Sequence, residues 1–84
     1  MFDKVLRLPE VLSARGRSRS AHFLDIKKGL FTHPVKIGLR ATGWPQSEVA
    51  AINAARIAAK SDDEIRVLVA QLEASRKNSL GGVQ

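Results

Sequence analysis

The sequence predicts a mainly α-helical domain with one small β-hairpin, and three observations predict it. Two short helical segments meet at a glycine-containing turn around Gly16. A brief alternating stretch, Val35-Lys36-Ile37, follows Pro34, which bars helix there. From Pro45 onward, two longer segments space their apolar residues at helical intervals.

Proline is favoured at the start of a helix because its missing N–H would be unpaired there. Pro9 therefore opens a first helix over about 9–14, with Val11 and Leu12 as its apolar residues, and Gly16 stops it. Ser18 is placed to cap a second helix by accepting from the backbone near Ala21. That helix runs through Arg19, Phe23 and Ile26 to Lys28, and Gly29 ends it. Two short helices joined in this way form a helix-turn-helix. Val35 to Ile37 and Arg40 to Trp44 then read as the two strands of a hairpin turning at Gly38, a wing. Pro45 opens the third helix at its first position, with Glu48 in the first turn, where the helix dipole favours negative charge. Val49, Ile52, Ala55 or Arg56, and Ala59 mark its apolar side. Ser61 and Glu64 form a capping box for a fourth helix over about 62–76, and residues 79–84 read as a flexible tail. The fold class is thus a winged helix-turn-helix over residues 1–60, followed by a C-terminal helix over 61–78.

Eighty-four residues, 44% hydrophobic and 26% charged, suit one small core and no large catalytic cleft. Cysteine is absent and the histidines number two, which excludes disulfides and disfavours a metal site. The opening MFDKVLRLPE lacks the apolar run of a signal peptide, and no stretch approaches a membrane span, so a soluble cytoplasmic protein without membrane attachment is expected. No G-x-S-x-G, H-E-x-x-H or glycine-rich phosphate loop occurs, so neither an enzyme nor a cofactor is expected.

The net charge of +6 is unevenly placed. Residues 1–44 carry nine basic and three acidic side chains, whereas residues 45–84 carry five of each. A basic half joined to a neutral half points to a polyanionic partner for the first, double-stranded DNA above all. A helix in the major groove presents its N-terminal residues to base edges and phosphates, here Arg17, Ser18, Arg19 and Ser20. The guanidiniums can fork onto phosphate or onto guanine, the serines can donate to phosphates, and Ser18 has the alternative of acting as a cap alone. A helical wheel through Phe23, Ile26, Leu30 and Phe31 turns His22 and Asp25 away from the apolar side. His22 then donates to a phosphate or base, or else is a part-buried histidine with one satisfied nitrogen. Phe23 reads as core. Lys27, in the last turn, joins the basic surface, and Lys36 and Arg40 flank the wing tip, placed to clamp a backbone or enter a minor groove. Trp44 reads as an anchor whose N–H needs one partner. On the fourth helix, Ile65, Leu68, Val69 and Leu72 form one stripe, either a homodimer seam or a lid over the domain's own core.

Several motifs together resemble the AlpA family of prophage-type transcriptional regulators, small proteins akin to excisionases and to the DNA-binding part of MerR regulators. They are Arg7-Leu8-Pro9-Glu10-Val11, Gly16-x-Ser18-Arg19-Ser20, Ile26-Lys27-Lys28-Gly29-Leu30-Phe31, Pro34-Val35-Lys36-Ile37-Gly38-x-Arg40-Ala41 and Trp44-x-x-Ser47-Glu48-Val49. The resemblance covers about residues 5–57 and implies a winged helix-turn-helix with its second helix in the major groove. It also implies a regulator of prophage or mobile-element genes. The family pattern has aliphatic residues at the positions of Arg17 and His22, tyrosine at Phe23, leucine at Asp25 and proline at Thr32. The positions of Arg17, His22 and Asp25 are core in that pattern, against the wheel. Three functions follow as expectations: a sequence-specific dimeric DNA-binding regulator, an excision factor that bends DNA for a recombinase, or a DNA-loaded RNA polymerase activator or antitermination factor.

Overall fold

The computed structural model describes residues 3–81. In chain order the elements are β1 (Val5–Leu6), α1 (Leu8–Arg15), α2 (Arg19–Lys27), β2 (Val35–Lys36), β3 (Thr42–Pro45), α3 (Gln46–Ile57) and α4 (Asp62–Gly81). The fold is mainly helical, with a helix-turn-helix, a small antiparallel sheet and C-terminal helices, as the sequence predicts.

The local signals act as expected at most helix ends. Gly16 closes α1 in the left-handed region at φ 66°, so Leu12 O accepts from both Gly16 N–H (2.9 Å) and Arg17 N–H (3.2 Å). Ser18 caps α2, its Oγ accepting from Ala21 N–H at 3.2 Å. Ser61 and Glu64 complete their reciprocal box, with Ser61 N–H donating to Glu64 (2.9 Å) and Glu64 N–H to Ser61 Oγ (3.2 Å). Several boundaries move: β2 ends at Lys36, β3 starts at Thr42 rather than Arg40, and Ala59 lies past the end of α3. Pro45 ends β3 and is the N-cap of α3 rather than its first residue. Helix α4 continues to Gly81, past the expected start of the tail, and residues 82–84 lie outside the described residues.

The hairpin is broader than a two-stranded wing. Strand β3 is central in a β1-β3-β2 sheet, pairing Leu6 with Trp44 on one side and Val35 with Gly43 on the other. The sequence pattern predicts no strand at Val5–Leu6. That strand exists through nonlocal partners: Gln46 N–H donates to Lys4 O at 2.6 Å, and Ser47 N–H donates to the Asp3 carboxylate at 3.0 Å. The N-terminal segment thereby satisfies the free N–H groups that start α3. Gly43 permits the pairing, since a Cβ there would lie 2.6 Å from Val5 Cγ1 and 2.7 Å from Leu6 O.

Trp44, Phe31, Ile52 and Ile65 are fully buried at the centre of the core. Trp44 is the expected anchor, its indole N–H donating to Thr32 O at 2.8 Å. Helix α4 folds back on the same core, with Ile65 and Val69 buried and Leu68 and Leu72 partly buried against it. Polar contacts fix its distal half: Arg76 donates to both oxygens of buried Glu48 (2.6 and 2.7 Å) and to His33 O (2.7 Å). Glu73 in turn accepts from His33 N–H at 2.7 Å. Glu48 therefore serves as an internal ion-pair partner as well as a first-turn acid.

Two residues of the apolar stripe, Ile65 and Val69, are buried within this chain. A domain of residues 1–60 alone would leave Val49 and Ile52 short of cover, and Ile65 and Val69 supply it. Leu68 and Leu72 keep part of their surface exposed.

Candidate nucleic-acid interface

Helix α2 buries His22, Asp25 and Ile26 and exposes Arg19, Ser20, Phe23, Leu24 and Lys27. At 100° per residue the five exposed positions fall within an arc of about 140°, one coherent face. His22 is fully buried, which corrects its assignment as a contact residue for DNA in favour of the buried alternative, and Asp25 is 4% exposed, so the family register holds at both positions against the wheel. Phe23, expected in the core, is 42% exposed. The error has a physical source. Leu30 and Phe31 lie beyond the end of α2, past Gly29 at φ 77°, so their wheel angles carry no information about its facing. Without them, the wheel loses two of the four residues that turned His22 and Asp25 outward.

The buried polar side chains form one cluster. Arg15 NH2 donates to Asp25 Oδ2 at 2.7 Å, and Arg15 NH1 donates to His22 Nδ1 at 2.7 Å. Arg17 grips the same carboxylate side-on, with Nε to Oδ2 at 3.1 Å and NH2 to Oδ1 at 2.9 Å. Arginine only donates, so His22 Nδ1 is the acceptor and the proton sits on Nε2. Nε2 has no hydrogen-bond partner and lies among aromatic rings, with the Phe23, Phe31 and Trp44 centroids 4.9 to 5.1 Å from the imidazole. The Arg15 guanidinium carbon sits 4.1 Å above the Phe31 ring centroid, a cation–π contact.

These contacts set the protonation states. Burial and then the neighbouring Arg15 charge push His22 down to about 4. Burial raises the Asp25 carboxyl, but hydrogen bonds and charge from Arg15 and Arg17 outweigh it and hold the group below its ordinary value. At neutral pH the cluster is an ionised carboxylate between two guanidiniums, beside a neutral imidazole.

The cluster divides the expected contact residues into two groups. Arg17 is 43% exposed at its side chain but engaged with Asp25, and Ser18 Oγ is engaged as a cap. Arg19, Lys27, Lys36 and Arg40 are exposed, and among the described residues they make no ion pair. Ser20 is exposed beside Arg19. Sequence reasoning missed Phe23 and Leu24 as surface residues and Asp25 as the brace for Arg17. A lone carboxylate in a helix that follows three arginines within five residues was the available signal.

The β2–β3 connection carries Arg40 and, at the end of β2, Lys36, together with two aliphatic residues. Ile37 is 43% exposed and Leu39 94%. Ile37 N–H donates to Ala41 O at 2.9 Å and closes a loop with Gly38, Leu39 and Arg40 at its apex.

Among the described residues no helix is long and apolar enough to cross a membrane, and no three metal-ligating side chains converge.

Comparison with known proteins places this arrangement. The family model described as prophage CP4-57 regulatory protein (AlpA) matches residues 4–56, from β1 nearly to the end of α3. Uncharacterized protein ORF88 of Enterobacteria phage P4 is 41% identical over 58 residues, covering 69% of this chain. The chain spans 66% of that phage protein, just under two thirds of its length. No solved structure matches. With the helix-turn-helix, the sheet and nearly all of α3 inside the matched stretch, the chain belongs to the AlpA family of prophage regulatory proteins.

Proposed function

We propose that the protein is a sequence-specific double-stranded-DNA-binding regulator of prophage or mobile-element genes. In this reading α2 enters the major groove and the β2–β3 wing lies on the adjacent backbone or minor groove. The observation that carries it is the composition of the exposed face of α2. Arg19 and Lys27 stand there without ion pairs among the described residues, while the helix's one carboxylate, Asp25, is buried on the other side. An outward acid would repel phosphate, and burial removes that obstacle. Family membership supports the same reading.

The roles follow from the chemistry of each group. Arg19, in the first turn, forks onto guanine O6 and N7 or onto a phosphate. The Ser20 hydroxyl donates to phosphate, and Phe23 and Leu24 offer apolar contact to thymine methyl groups. Lys27, Lys36 and Arg40 supply phosphate contacts. Arg17, already aligned by Asp25, keeps its NH1 hydrogens for an anion.

Each phosphate contact adds about 0.9 to the magnitude of the slope of log affinity against log salt. Arg40→Ala is expected to lower that magnitude by about one, measured by fluorescence anisotropy on a labelled duplex. Arg19→Ala is expected to weaken binding and, if Arg19 reads a base, to relax preference at one position by about 1–3 kcal/mol. Arg56→Ala, a cation on α3 paired with Asp62 at 3.2 Å, is the control and should change neither quantity. A flat salt response of the wild type would overturn the reading.

A further inference from the structure

The most exposed large apolar side chain of the described protein sits at the tip of the wing. Leu39 is 94% exposed at the apex of a loop held closed by the Ile37–Ala41 hydrogen bond. Its immediate neighbour Arg40 and the nearby Lys36 are exposed and, among the described residues, unpaired. Behind it Ile37 is only partly covered, so the apex is aliphatic at its centre and cationic around it.

We propose that Leu39 is a wedge that enters the minor groove of duplex DNA, unstacks one base step and bends the helix. The inference rests on the DNA-binding reading above and adds a deformation that the reading does not require. Charge complementarity selects the occupant. An apolar protein surface would desolvate Lys36 and Arg40 without pairing them, whereas the two phosphate backbones of a minor groove flank an inserted side chain with anions. Aliphatic wedges of this kind kink DNA by about 20–90°. The loop geometry suits insertion. Its closing hydrogen bond lets Leu39 project without losing backbone pairing, and β2 and β3 hold the loop on the sheet through Trp44. The cost of such a kink depends on the base step and is lowest at flexible pyrimidine–purine steps, so Leu39 contributes specificity without any hydrogen bond to a base.

The test uses the full chain and a duplex of about 30 bp selected by the wild-type protein from a random pool, labelled at both ends for energy transfer. Wild-type protein is expected to raise transfer on binding. Leu39→Ala is expected to lose most of that increase while keeping the salt slope, with affinity reduced about 3- to 10-fold. Leu39→Met is expected to restore the bend. A fluorescent base analogue at the kinked step should brighten with wild type and Leu39→Met but not with Leu39→Ala. If wild type binds the duplex without bending it, or Leu39→Ala bends it equally, the wedge is refuted and DNA binding stands. If no duplex is selected or bound, both readings fall together.

Discussion

Asp25→Ala is expected to leave the protein largely unfolded, or to lower its melting temperature by at least roughly 12 °C in thermal circular dichroism. The Arg15 side chain is 4% exposed and has Asp25 as its ion-pair partner. Removing one member of a buried ion pair costs about 3–5 kcal/mol, because the remaining charge stays out of water without compensation. Small domains have only about 5–15 kcal/mol in total. Two features separate this from ordinary cavity formation. Arg17→Ala should cost far less, since that guanidinium is 43% exposed and its loss leaves Asp25 paired with Arg15. The triple change Arg15→Met/His22→Leu/Asp25→Leu should fold with stability near wild type, because a packed apolar cluster replaces buried ions at little or no cost. A melt of Asp25→Ala that overlays the wild type would show that the cluster is solvated.

Acidification should destabilise the fold well above the usual carboxylate range, and His22 is the reason. An ordinary histidine titrates at 6.5, whereas in the folded protein burial and Arg15 hold it at about 4. Between these values the unfolded chain binds a proton that the folded chain does not, so stability falls as pH drops from 6.5 to 4. The difference corresponds to about 3 kcal/mol, and the loss is complete once pH is below the folded value. Asp25 and Glu73, both held below their ordinary values, add a further loss at lower pH in the same direction. Urea midpoints followed from pH 7 to 4.5 should decline for wild type. His22→Gln, which keeps an acceptor for Arg15 but does not titrate, should flatten most of that decline. A wild-type midpoint that holds steady over this range would contradict the neutral, buried assignment of His22.

The same cluster marks where sequence reasoning stopped. Signals confined to a few residues translated directly into structure. Ser18 before Ala21, Ser61 with Glu64, and Gly16 after Arg15 each act through hydrogen bonds within one turn. Trp44 was legible because a large aromatic next to a strand and a proline has few other places to go. The strand Val5–Leu6 was not legible, since two residues carry no period and its partners lie some forty positions away. The wheel misplaced His22 and Asp25 because it carried Leu30 and Phe31 past the end of α2, whereas Arg15 and Arg17 from the preceding helix and turn compensate the two polar groups inside. That compensation is tertiary and leaves no period in the sequence. The stripe from Ile65 to Leu72 was correct as an apolar face, yet nothing local distinguishes a face that covers its own chain from one that meets another.

For function, the consequence is a division within the basic half. Arg15 and Arg17 hold the helix-turn-helix together through Asp25, while Arg19, Lys27, Lys36 and Arg40 are exposed and, among the described residues, unpaired. The excess positive charge of residues 1–44 is therefore partly architectural. What is left on α2 and the wing is a smaller set with a defined face.

The most direct test of that face is a titration of the isotope-labelled full chain with the selected duplex, followed by amide chemical shifts in nuclear magnetic resonance. The account predicts the largest changes at Arg19, Ser20, Phe23 and Lys27 and along Lys36 to Arg40, with Val67, Ala70 and Gln71 on the outer side of α4 unchanged. Changes concentrated on α4, or none on α2 at saturating duplex, would contradict it.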